Sequence, residues 1–216
     1  MATVYLVRHG RTSANQRGIL AGRSQSTQLD ARGQRQAKHA GTMLRRVPID
    51  MVVTSPLKRT RQTASILREQ LPKMPRVKAD ERFIECDYGL WTGRALSELH
   101  DDPLWSTVQH QPSAVRFPEG EAMVDMQRRA IVGVRELNER FDSYVVVSHG
   151  DVIKSILADA LGMHLDQFQR IVIDPGSVSV VTYTPHRPFV SGINLTNSLV
   201  GIAATRGDAV VGGRSR

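Results

Sequence analysis

The sequence predicts an α/β fold: a three-layer α/β/α sandwich around a mostly parallel central sheet. Three observations predict it. Strand-like and helical patterns alternate from residue 3 to residue 183. The strand-like runs are short and rich in β-branched residues. Three of them end in polar turns bearing histidine or arginine, at the sheet edge where open α/β folds bind ligands.

Thr3 to Val7 reads as the first strand, and it delivers Arg8-His9-Gly10-Arg11-Thr12-Ser13-Ala14-Asn15 into a turn. Residues 10–30 are polar and turn-rich, with Gly18 and Gly22, and are expected as a loop over the site. Ala37, Ala40, Leu44 and Val47 then make one apolar helical face, with Arg32, Arg35, Lys38 and Arg45 mostly off it, and Pro48 stops the helix. Ile49 to Val53 is the next strand. It runs into Thr54-Ser55-Pro56, a helix start with Arg59 one turn in, and Thr60, Ala64, Leu67 and Leu71 form the stripe.

Pro72 and Pro75 close that helix, and residues 76–84 read as extended. Residues 94–120 have weak periodicity and three prolines, which predicts an irregular or partly helical insertion covering the site. Met123, Met126, Ala130, Val134, Leu137 and Phe141 recur at helical spacing and read as core. Tyr144 to Val147 is a strand ending in Ser148-His149-Gly150. Ile153, Ile156, Leu157, Ala160 and Leu161 make a helix capped by Gly162. Val172-Ile173, Ser177 to Tyr183 and Phe189 to Leu195 read as late strands, one pair joined across Pro185 and Pro188. The reading is therefore one domain over residues 1–200, with a cap-like insertion at about 90–120 and a disordered tail over 201–216.

Composition narrows the function. The chain has 216 residues, 40% of them apolar, and no run approaching the roughly 18 apolar residues of a spanning helix. Its start matches strand pattern rather than a leader, so a cytoplasmic protein is expected, with no membrane partner. The single cysteine, Cys86, allows no internal disulfide. A net charge of +8 suits an anionic ligand. The basic residues look scattered and aromatics are 5%, without the interleaving of stacking platforms, so nucleic acid is not expected as a partner.

Four motifs now stand in order: Leu6-Val7-Arg8-His9-Gly10 with Asn15; Ser55-Pro56-Leu57 with Arg59 and Thr63; Glu85 with Gly89 and Trp91; and Ser148-His149-Gly150. Together they resemble the histidine phosphatase superfamily, in its phosphoglycerate mutase-like branch (clade 1). Gly22, Leu29, Gly33, Gln36 and Ala37 fall where that family has its Gly-Arg and Leu-x-x-x-Gly pattern. Pro118, Gly120, Glu121 and Arg129 match a motif common in its phosphatases. The resemblance implies the phosphoglycerate mutase-like fold, with His9 as nucleophile and Glu85 as acid. It implies phosphate binding by Arg8, Asn15, Gly22, Arg23, Arg59, His149 and Gly150, and neither a metal nor an organic cofactor.

The chemistry asks for these residue types independently. A phosphoryl group in transfer carries dense negative charge, so positioned cations supply most of the catalysis. Arg8 and Arg59 offer forks that match phosphate oxygens, and His149 can add a donor. His9 must be neutral to attack phosphorus, which nearby guanidiniums favour. Glu85 can protonate the leaving alkoxide and then activate water, and Asp87 is the neighbour that could be mistaken for it. Arg11, Arg23 and Arg94 either touch phosphate or are simply solvated. His39, His100, His110, His164 and His186 have no partner pattern, and Cys86 reads as a thiol without a role.

The expected activity is hydrolysis of small phosphorylated metabolites. Related mutases carry Glu-Arg-His-Tyr-Gly at the acid and paired arginines in the insertion; here the segment is Glu85-Cys86-Asp87-Tyr88-Gly89, with no such pair between residues 94 and 125. Tyr88 keeps a phosphomutase as the alternative, and Thr92 stands where the phosphatases usually carry glutamate. A non-catalytic phosphate-binding protein is the reading from a different class. The partner expected is a small anionic phosphate ester, with a homodimer left open.

Overall fold

In the computed structural model, which describes residues 1–196, β1 (Ala2–Arg8) leads through one helical turn, α1 (Ser13–Gln16), to α2 (Ala31–Leu44). Then come β2 (Met51–Thr54), α3 (Lys58–Arg68) and β3 (Arg76–Ala79). Two short helices, α4 (Leu96–Leu99) and α5 (Leu104–His110), sit in the insertion ahead of α6 (Met123–Asn138). β4 (Ser143–Ser148), α7 (Gly150–Ala160), β5 (Val178–Tyr183) and β6 (Pro188–Leu195) complete the order. The expected tail, 201–216, lies outside the described residues.

The six strands form one sheet in the order β3-β2-β4-β1-β5-β6. The first four pair parallel, while β5 and β6 run antiparallel as a hairpin at the edge. Alternate side chains of the central strands separate into two cores, as the pleat requires. Val4, Leu6, Tyr144 and Val146 face one, which α6 and α7 cover; Tyr5, Val7, Val145 and Val147 face the other, under α2 and α3. The three-layer, mostly parallel architecture follows. No helix of the described residues is long and apolar enough to cross a membrane.

The differences from expectation have local causes. α2 stops at Leu44, short of Val47, because the chain tightens into three-residue turns there and the residue before Pro48 is disfavoured in helix. α3 begins at Lys58 with Leu57 as its cap, so Pro56 precedes the helix and Leu71 follows it. Phe141 likewise lies past α6. Val172-Ile173 is not a strand: the Ile173 carbonyl accepts from the Arg8 side chain instead of a ladder partner. The cations are not scattered either. Residues 31–79 hold twelve Lys and Arg against two carboxylates, Asp50 and Glu69. Every described ion pair lies outside that stretch of chain.

Candidate active site

β1 and β4 are adjacent and parallel, with Arg8 opposite Ser148, so their continuations emerge side by side. His9 N–H donates to the Ser148 carbonyl at 3.0 Å, and the rings of His9 and His149 lie 5.3 Å apart at 62°. The turn after His9 is seated on α2 and α3. Gly10 N–H donates to Thr63 Oγ1 at 3.1 Å. A Cβ on Gly10 would meet the Gly33 carbonyl oxygen at 2.2 Å, and one on Gly33 would meet the Arg11 carbonyl oxygen at 2.0 Å. Only glycine at both positions lets backbone approach backbone here.

His9 is 4% exposed, and its Nδ1 is 2.8 Å from the Gly10 carbonyl. A carbonyl accepts, so Nδ1 carries the hydrogen and Nε2 keeps its lone pair. Burial, and then the charges of Arg59 and Arg8, hold the ring well below the ordinary histidine range and therefore neutral.

Arg59 is the largest fully buried side chain among the described residues. Its Nη2 donates to the Gly22 carbonyl at 2.7 Å and to His149 Nδ1 at 3.2 Å, and its Nη1 donates to the Ser24 carbonyl at 3.3 Å. His149 thus accepts at Nδ1 and donates from Nε2 to Ser55 Oγ at 2.7 Å. Burial and the Arg59 charge keep it neutral too. Both its nitrogens are engaged within the protein, so it holds Arg59 rather than presenting a free N–H. Arg8 binds the Ile173 carbonyl through Nη1, while its buried Nε has no partner among the described residues.

Glu85 follows a 3-10 turn over Glu81–Phe83 and is 8% exposed. Its Oε1 accepts from Cys86 N–H at 3.0 Å, and Oε2 stands 3.8 Å from His149 Nδ1, a proximity rather than an ion pair since that ring is neutral. Burial first, and Asp151 second, raise its carboxyl from 4.5 to about 7, against a lowering pull from Arg59. It is therefore able to hold a proton near neutral pH.

Arg8, His9, Asn15, Gly22, Arg59, Glu85 and Gly150 all line one cavity of about 300 Å³. The N-terminus of α7 opens onto it at Gly150 and Asp151, where helix amides are left free. Asn15 Oδ1 is taken by Thr12 in a capping box. Arg23, Arg11 and Arg94 do not line the cavity. Arg23 pairs with Glu121 and Asp87, Arg11 with Asp30, and Arg94 with Asp102.

Sequence reasoning missed Asp151, Lys154 and Gln169, which also line the cavity. Tyr88 Oη donates to Asp151 Oδ2 at 2.7 Å, Lys154 Nζ lies 3.5 Å from Asp151 Oδ1, and Lys154 donates to Gln169 Oε1 at 2.9 Å. These residues line the cavity with Trp105 and Gln109 from the insertion. The signal was available for Asp151, in the first turn of the helix that His149-Gly150 opens, and for Lys154, which follows in the next turn. Ser55 was legible as a helix start and as part of the Ser55-Pro56-Leu57 motif, but not as the partner that orients His149.

A model of the histidine phosphatase superfamily (branch 1) matches residues 4–196. The chain is 30% identical over 203 residues to phosphoserine phosphatase 1 of Hydrogenobacter thermophilus, covering 91% of this chain and 93% of that one. It is 29% identical over 201 residues to the 2,3-bisphosphoglycerate-dependent phosphoglycerate mutase of Thermoplasma acidophilum, covering 92% and 96%. Among solved structures, Bacillus stearothermophilus YhfR superposes with a TM-score of 0.80 at 27% identity, covering 88% of this chain and 96% of that one. With the motifs in order and the family model spanning nearly all the described residues, the chain belongs to the histidine phosphatase superfamily, branch 1.

Proposed function

We propose that the protein is a phosphomonoesterase of small phosphorylated metabolites, working through a phosphohistidine at His9 and needing no metal. The observation that carries the reading is the state of His9. Its one hydrogen is spent on Gly10, its lone pair is free, and it is buried beside two guanidiniums and a protonatable carboxyl.

In the first step His9 Nε2 attacks phosphorus as the bond to the leaving oxygen breaks, and Glu85 delivers its proton to that oxygen. Arg8, Arg59 and the amides opening α7 take the charge on the three remaining oxygens. In the second step water attacks phosphorus, Glu85 takes the water proton, and the P–N bond breaks to release inorganic phosphate and restore His9. His149 holds Arg59 in place through the reaction.

The likeness to a mutase raises transfer back to the same skeleton as a second reading. The rest of the cavity lining speaks for hydrolysis. Lys154 there is already matched by Asp151 and Gln169, and the carboxylate opposes a second phosphate. The lone, buried Cys86 allows no internal disulfide, which supports the cytoplasmic setting proposed here.

Phosphate release from a panel of monoesters, with chelator present, tests this proposal. Wild type should release phosphate from some member and His9→Ala from none; Glu85→Gln should lose most on poor leaving groups. Equal release by His9→Ala would remove His9 as nucleophile.

A further inference from the structure

Arg23, Glu121 and Arg129 lie outside the cavity, yet all three converge on the segment that carries Glu85. Arg129, on α6, donates from Nη1 to the carbonyls of Arg82 at 2.8 Å and Ile84 at 2.7 Å. Its Nη2 donates to the Glu85 carbonyl at 3.2 Å. Arg23 Nε donates to the same Glu85 carbonyl at 3.0 Å, from the opposite loop. Glu121 joins the two: Oε1 accepts from Arg129 Nη2 at 2.6 Å, and Oε2 from Arg23 Nη2 at 2.9 Å and Arg129 Nε at 3.3 Å. It also accepts from Asp87 N–H at 3.3 Å, on the far side of Glu85.

We propose that Glu121 is a positioning residue: with Arg23 and Arg129 it clamps the main chain of residues 82–87 and so fixes where the Glu85 carboxyl meets the leaving group. The proposal rests on the reading of Glu85 as acid and base.

Three features set this apart from an ion-pair cluster that merely ties surface loops. First, the Glu85 carboxyl accepts a single hydrogen bond among the described residues, from its neighbour Cys86, so its position is inherited from the main chain. Second, the clamp takes three carbonyls in the stretch leading into that carboxyl, and a guanidinium holds several acceptors only in a fixed fork. Third, Arg23 lies between Gly22 and Ser24, whose carbonyls accept from Arg59. The clamp therefore joins the loop gripping the phosphate-binding guanidinium to the segment carrying the acid, and fixes one against the other. Arg23, grouped by sequence with the phosphate ligands, does its work on the Glu85 backbone. Charge-assisted bonds at 17–34% side-chain exposure keep the strength that fully exposed pairs lose.

The test compares wild type with Glu121→Gln, Glu121→Asp and the half-exposed Arg23→Gln, which keeps the question open should Glu121→Gln fail to fold. Two esters are used: p-nitrophenyl phosphate, whose leaving group needs no proton, and glycerol phosphate, whose leaving group does. Displacing the acid should lower kcat on the alkyl ester by about 10- to 100-fold, with little change on the aryl ester. Glu121→Asp, which keeps the charge, should recover part of the loss. Hydrogen exchange over residues 82–89 should quicken in Glu121→Gln and Arg23→Gln, whatever the turnover.

Unchanged exchange would overturn the clamp. Faster exchange with equal losses on both esters would leave only a structural cluster and overturn the positioning role. Absence of His9-dependent release by wild type would sink the underlying reading of the site, and it is read before any clamp variant is compared.

Discussion

Arg59 Nη2 lies 3.2 Å from His149 Nδ1, a donor facing an acceptor between two buried side chains from different strand ends. Lysine cannot reproduce that fork: it would give up the bonds to His149, Gly22 and Ser24 in some combination, together with planar contact to phosphate. Arg59→Lys should lower kcat/KM by about 10²- to 10³-fold. Steady-state kinetics on the best ester of the panel checks it, and a loss under threefold would remove Arg59 from the phosphate-binding role.

The pH profile follows from two shifts of opposite sign. His9, depressed by burial and two arginines, stays neutral through the range where a free histidine would charge. Glu85, raised to about 7 by burial and Asp151, acts as an acid only while protonated. After correction for the substrate phosphate, which itself ionises near about 6, kcat/KM should fall as pH rises through about 7. Asp151→Asn removes the raising carboxylate, so its alkaline limb should move to lower pH; a limb that stays in place or moves up would contradict the coupling.

Stability responds to the same group. The Glu85 carboxyl binds its proton more tightly folded, at about 7, than unfolded, at 4.5. Its contribution is therefore whole below 4.5 and is lost as pH rises through about 7. Glu85→Gln, which cannot ionise, should gain on the order of 1–3 kcal/mol over wild type above that pH and little at low pH. Thermal melts at both ends of the range read this, and an equal effect at each end would mean that the carboxyl is not titrating in the fold.

How far the site could be read from sequence depended on whether its chemistry sat in local motifs. His9, Arg59 and His149 each follow a strand by a residue or a turn, so short β-branched apolar runs placed them at one sheet edge. Glu85 was legible through the family resemblance, whose acid position it matches by its spacing to Gly89 and Trp91. Hydrogen-bond partners were not legible: that Arg23 donates to the Glu85 carbonyl, or that Ser55 Oγ accepts from His149 Nε2, depends on residues 62 and 94 positions apart. Element ends shifted where tertiary bonds competed with local pattern, as at Ile173, whose carbonyl serves Arg8. The excess of cations over residues 31–79 is less apparent than a charge run because it is spread along nearly fifty residues.

The seat of the nucleophile turn is steric. Gly33→Ala would push a methyl into the Arg11 carbonyl oxygen, 2.0 Å away, where backbone cannot yield cheaply. The change should cost about 1–3 kcal/mol in stability, and it should lower kcat as the turn carrying His9 is displaced. Chemical denaturation and turnover together check it; a neutral variant would show that α2 need not press on this turn.

The central claim is that His9 carries the phosphoryl group. Rapid mixing with an excess of the best ester, followed by quenching and peptide mass analysis, tests it most directly. The peptide spanning residues 1–17 should gain the mass of one phosphoryl group at His9, acid-labile and base-stable, and Glu85→Gln should alter how much of it accumulates. His9→Ala should show none. Turnover of the ester with a label on another residue, or with no phosphoenzyme at any mixing time and water attacking directly, would contradict the account.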